Sequence, residues 1–161
     1  MIRRHALPDW VQAAASGRLL AAEPLSDDSW AVIGTSALAL VDSAGVRWQR
    51  GWHEVDQGSW DGEAHTLTIT WVGSDTTTRL QTATEHPSTF PVLFRERVEA
   101  SVVYTESQQV PGGGLLKAAV RRTHDGRLLS QVFSVGAVHN GAELDRQVAA
   151  LERRVRDAAG M

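Results

Sequence analysis

Cysteine is absent from the 161 residues, which excludes a disulfide framework, thiolate metal ligands and any thiol nucleophile. The same absence fits a reducing cytoplasm, the compartment expected from the sequence. Lysine is nearly absent as well: Lys117 is the single lysine among 16 basic residues, a bias expected of a high-GC bacterial genome. No stretch approaches the roughly 18 apolar residues of a membrane span. Residues 1–9 begin with basic character but lead into no apolar run, so no signal peptide is expected. The formal net charge of -3 gives no global attraction to nucleic acid or to an anionic membrane, and neither is expected as a partner. Catalytic signatures are missing too. There is no Gly-x-Ser-x-Gly, and the run Pro111-Gly112-Gly113-Gly114 opens a strand without the lysine and hydroxyl that a phosphate loop requires. A flexible hairpin loop is the expectation for that run.

What is present is alternation. From Trp30 to Leu80 apolar and polar residues exchange at a period of two between clusters of turn formers. The cleanest segment is residues 66–72, where Leu67, Ile69 and Trp71 face one way and three threonines the other, as in a half-buried antiparallel strand. Residues 18–25, 30–33, 37–41, 46–52 and 76–80 read as further strands, with Gly51 marking a bulge or a close backbone approach. Residues 53–61 read as an irregular connection ending in Ser59-Trp60-Asp61. Before the sheet, residues 8–16 predict a short helix closed by Gly17, whose face of Trp10, Val11 and Ala14 lies on the sheet as a lid.

The period then changes. Residues 86–89 end the sheet and cap a helix in which Phe90, Phe94 and Val98 recur at i, i+4 and i+8, with Pro91 tolerated in the first turn. From Ser101 the period returns to two, and residues 102–110, 115–122 and 127–135 predict a three-stranded meander with an Asp125-Gly126 hairpin. Asn140 and Glu143 predict a capping box for a last helix, striped by Leu144, Val148, Leu151 and Val155 and ended by Gly160. The fold class expected is therefore α+β. Residues 1–100 would hold the bent sheet with its two helices, and residues 101–161 the meander and last helix, packed as one unit.

The phrases Trp30-Ala31-Val32-Ile33-Gly34-Thr35 and Trp60-Asp61-Gly62-Glu63, with the strands between them and the helix up to Ala100, resemble bacterial pleckstrin-homology-like or GRAM-like domains. The resemblance covers roughly residues 30–100, and the two-part layout is compatible with a small actinobacterial family built the same way. It implies a strongly bent sheet of about seven strands plugged by a helix. Such scaffolds carry many functions, so function has to come from a site. Lipid-binding members have a basic loop between their first strands. Here Ser26-Asp27-Asp28-Ser29 and Gly34-Thr35-Ser36 hold no base, which disfavours phosphoinositides.

Candidate site residues fall into three groups. All six tryptophans lie in the first half, and Trp52 and Trp60 flank the irregular segment, where an exposed indole would anchor a protein partner. Lys117 and Arg121, with Arg79, would share one strand face with Arg122 opposite, a modest cationic surface for a phosphate, a lipid headgroup or an acidic partner. His53, Glu54 and Asp56 would serve as acid–base partners or metal ligands only if a fold brought them together. Self-association through the apolar stripe of the last helix is a further expectation. The reading that emerges is a non-catalytic, cofactor-free and metal-free protein-binding or adaptor domain. The alternatives are an anionic-ligand binder and a small metal-dependent enzyme.

Overall fold

The protein is described by a computed structural model for residues 7–85, Pro87 and residues 89–161; residues 1–6 of the amino terminus, and His86 and Ser88 of the predicted helix cap, lie outside the described residues. The fold is α+β. The alternating segments form β1 (Leu19–Pro24), β2 (Trp30–Gly34), β3 (Ala37–Asp42) and β4 (Gly45–Gly51), which pair in chain order as one antiparallel sheet. A second sheet holds β5 (Val55–Asp61), β6 (Thr66–Trp71) and β7 (Thr77–Gln81). The two sheets meet at a corner, where Leu25 bridges Thr82 and the Ala83 amide donates to the Pro24 carbonyl at 2.9 Å.

Between them lies one apolar core, because each sheet contributes the inward half of its alternation. Ile33 and Leu38 from the first sheet meet Leu67, Ile69, Trp71 and Leu80 from the second. The open end is closed by α2 (Phe90–Ser101), whose Phe90 and Phe94 are buried as their i, i+4 spacing requires. Burying each such ring contributes on the order of 1.5–3 kcal/mol. The opposite face of the first sheet has its own small cluster, in which Val32, Ala39 and Val41 pack beneath Val11 of α1 (Asp9–Ala13).

That first helix is shorter than the predicted residues 8–16. The chain after Ala13 is drawn away to bond the turn between β2 and β3, where the Ser36 amide donates to the Ser16 carbonyl at 3.1 Å. Gly34 is required at this crossing, since a Cβ there would lie 2.2 Å from the Ser16 oxygen. Of the two readings of Gly51 the close approach holds, since a Cβ there would lie 2.6 Å from the His53 ring, and the bulge of β4 falls earlier. The register slips between Leu40 and Val41, whose partners Trp48 and Val46 leave Arg47 as the extra residue. Arg47 then pairs with Asp42 at 2.6 Å and Asp27 at 3.1 Å.

Asp27 carries a testable consequence. The Ser29 hydroxyl and amide, with Arg47 behind them, hold its carboxyl down at about 2 from an ordinary 3.8. A depressed folded-state value means stability that is present above the unfolded value and lost as pH falls through about 2. Asp27→Asn should therefore flatten the acid limb of a stability–pH profile between about pH 4 and 2, as read by thermal melts across that window.

The second half matches the predicted boundaries closely. A meander of β8 (Val102–Gln109), β9 (Leu115–Arg122) and β10 (Leu128–Val135) forms with β9 in the middle, and α3 (Ala142–Ala158) covers one face. Leu116, Ala118 and Val120 lie beneath Leu151 and Val155 of α3, so the helix stripe is spent on its own sheet. The predicted capping box is not formed. Gly141 occupies the N-cap without a side-chain bond, and Glu143 turns forward to Arg146 and Gln147 at 2.6 and 3.2 Å. Gly160 does close the helix, with φ +73° and its amide on the Asp157 carbonyl.

Candidate functional site

The segment read as irregular, residues 53–61, contains a strand. After a single 3₁₀ turn (Trp52–Glu54), β5 runs antiparallel to β6 as the outermost strand of its sheet. Its alternation is masked by two features. Gly58 takes an inward position because Phe94 occupies the space a side chain would need; a Cβ there would lie 2.2 Å from the Phe94 ring. A bulge between Val55 and Gln57, opposite Trp71 and Thr70, leaves Asp56 as the extra residue. Val55 can thus stay fully buried while Trp60 also packs on the core.

The flanking tryptophans have different fates. Trp52 is only 5% exposed, donates its indole N–H to the Gly34 carbonyl at 3.0 Å and meets Phe94 edge-on at 5.8 Å. It is a core residue, so the expectation of an exposed anchor does not hold at this position: the 3₁₀ turn directs the ring inward. Trp60 is half-buried and lines a cleft of about 470 Å³ between β5 and α2. Leu67, Phe94, Pro91, Val92 and Val98 supply its remaining apolar walls, and Arg95 and Glu99 stand at its edge.

The cationic face expected of β9 fails at Arg121, while Arg122 lies on the opposite face as expected. Arg121 is 3% exposed and is therefore no part of a cationic face. Its guanidinium donates to the Trp52 and Val55 carbonyls at 2.8 and 2.9 Å and to the Ser101 hydroxyl at 2.7 Å. Burial pushes its pKa below the ordinary value while Asp56 pulls the other way. Lys117, four residues along on the same side, is held by Asp56 with both carboxylate oxygens at 3.3 Å. Arg122 points to the other side and is exposed. Arg121 and Lys117, with Gln131 bonded to the His53 carbonyl at 2.7 Å, instead fasten the meander to the first half.

His53, Glu54 and Asp56 are likewise drawn apart. Glu54 accepts the Gly51 amide at 2.7 Å, Asp56 faces Lys117, and among the described residues no group of three His, Asp or Glu side chains is placed to hold a metal. The glycines of residues 111–114 also have a packing reason that the sequence does not advertise. A Cβ on Gly114 would sit 2.2 Å from the Ala137 carbonyl oxygen, and one on Gly112 would sit 3.0 Å from the His139 ring.

Fold and cleft together define a small α+β domain of antiparallel sheets whose outer strand β5 and helix α2 bound an apolar groove. No protein-family model matches the chain, and neither a curated protein nor a solved structure matches it significantly. Among the described residues no helix is long and apolar enough to cross a membrane.

Proposed function

We propose that the chain is a non-catalytic binding domain that takes an extended segment of a protein partner along the outer edge of β5. One observation carries the reading: among the described residues β5 forms a ladder only with β6, so beyond Val55, whose carbonyl Arg121 takes, its other edge runs unladdered beside the apolar cleft. An added strand gains main-chain hydrogen bonds from such an edge, and its alternate side chains find pockets, which supply specificity. The cleft has the size and apolar character expected of a recognition pocket. Arg95 and Glu99 flank it with opposite charges, favouring a segment whose apolar residues are bordered by polar ones.

The sequence resemblance to pleckstrin-homology-like domains agrees with this proposal. Four strands, three strands and a closing helix, in that order, support the resemblance without deciding it. A cytoplasmic partner is the natural one for a chain without cysteine.

Val92 gives a clean test because it is 45% exposed, lines the cleft and takes no part in the core. Peptides enriched from a random display library should bind the wild-type domain with chemical shift changes in the β5 amides. Val92→Glu should weaken them about tenfold or more, since about 1.4 kcal/mol suffices for that factor, while leaving the melting temperature in place. A library that enriches nothing, or peptides indifferent to Val92→Glu, would overturn the assignment.

A further inference from the structure

A second concavity lies away from the β5 cleft, at a corner where four segments converge. Its volume is about 110 Å³, well below the roughly 300–1,000 Å³ of pockets that enclose drug-sized ligands. The β2–β3 turn supplies Thr35 and Ser36, the 3₁₀ turn supplies His53, α2 supplies Arg97 and Ser101, and the end of β9 with the turn after it supplies Arg122, Thr123 and His124. Two guanidinium groups, two imidazoles and four hydroxyls thus line one small space, and no carboxylate lines it. Sequence reading overlooks this grouping because its members come from segments up to 89 positions apart (Thr35 to His124).

The cations here are not consumed by structure. Arg97 is only partly buried overall, yet its Nε is fully shielded and has no hydrogen-bond partner among the described residues. A shielded donor without a partner is unfavourable, and a bound acceptor would relieve it. Neither Arg97 nor Arg122 belongs to an ion pair among the described residues, whereas Arg47, Lys117, Arg127, Arg146 and Arg154 all do. The carboxyl end of α2 brings a partial negative charge to the corner, but that is about half an elementary charge against two full ones.

We propose that this corner binds a single phosphate group, with Arg97 and Arg122 as its charged donors, the Thr35 and Ser36 hydroxyls as neutral donors, and His53 adding charge when protonated. Planar guanidinium forks match tetrahedral oxyanions. The volume admits the phosphate and leaves the rest of any larger ligand outside, so a free phosphate monoester and a lipid phosphate headgroup share the same recognition chemistry.

Protonation gives the site a signature. Burial, with Arg121, His124 and Arg127 nearby, lowers the His53 pKa from its ordinary 6.5, against an opposing pull from Glu54. His53 is therefore neutral at pH 7, and a bound dianion would favour its protonated form. Affinity should rise as pH falls. Sulfate is the probe of choice because its charge is constant over this range, whereas phosphate titrates.

The experiment titrates the full chain with sodium sulfate at about pH 8 and about pH 5.5, following the Arg97 Nε–H and the imidazole resonances by NMR. Inorganic phosphate is titrated at the higher pH. Expected are saturable shifts confined to Arg97, Arg122, His53 and His124, with sulfate binding at least about threefold tighter at the lower pH. Arg122→Gln, at an exposed position that will not compromise folding, should weaken both anions about tenfold, and His53→Gln should flatten the pH dependence. Shifts spread over surface arginines, or affinity unaffected by Arg122→Gln, would mean an adventitious ion only and would overturn the site. Sedimentation with phosphatidylcholine vesicles, with and without phosphatidic acid, then separates the sources. Capture only by phosphatidic acid vesicles, abolished in Arg122→Gln, assigns the headgroup, while anion binding without capture assigns a soluble phosphate.

Discussion

Replacing Arg121 with methionine should lower the unfolding free energy by about 1–3 kcal/mol for each of the two buried carbonyls it leaves without a donor. The side chain is almost entirely shielded, and it is held by two backbone carbonyls and a hydroxyl without a carboxylate in contact. Methionine fills much of the volume, so cavity formation is not the main loss. The loss comes from the Trp52 and Val55 carbonyls, which water can no longer reach and no donor satisfies. Arg121→Lys should recover only part of it, because a point ammonium cannot fan out to three acceptors as a planar fork does. Chemical denaturation of the two variants gives the ranking directly. Equal stability of wild type and Arg121→Met would show that the carbonyls find other donors.

Gly58→Ala is the second large effect, at about 1–3 kcal/mol from overpacking. The added methyl meets the Phe94 ring, which is itself wedged against Trp52, so the ring cannot yield without disturbing the plug of the core. The diagnostic measurement is a double-mutant cycle. Phe94→Ala alone should cost about 3–5 kcal/mol through the cavity it leaves. Adding Gly58→Ala to that background should then cost far less than it does alone, giving a coupling of about 1 kcal/mol or more. Simple additivity would place the methyl somewhere other than against the ring.

Legibility of the sequence tracks regularity. The strands β6, β9 and β10 and the helices α2 and α3 are readable to within a residue or two from their periods, and β8 is readable from its place between α2 and the glycine run. The strand β5 is not, because the residue that would continue its alternation is a glycine making room for Phe94, and because the bulge at Asp56 shifts the alternation beyond it. Each of those departures is a tertiary contact, invisible to a local window. The same holds for the candidate sites. Trp60 stands out by its position beside turn residues, and it does line the cleft, but Trp52 carries the same local signature and is buried. Arg121 and Arg122 are adjacent and chemically identical; strand alternation sends one into the interior and the other to the surface. The lone Lys117 and its partner Asp56 are 61 positions apart, and nothing in either neighbourhood announces the pair.

The junction between α2 and β8 limits how this chain can vary. The last residue of α2 is Ser101 and the first of β8 is Val102, so helix passes into strand with no connecting residue. Loops ordinarily absorb changes in chain length; here there is none to do so. A single inserted residue would rotate the downstream chain by about 100° if taken up by the helix, or exchange the two faces of the strand if taken up by β8. In the second case Thr105 and Ser107 would replace Glu106 and Gln108, which bond Arg154 of α3 at 3.2 and 2.9 Å. The two halves are thus locked in phase along the chain, and insertions and deletions belong elsewhere, in the exposed turns such as that at Gly73.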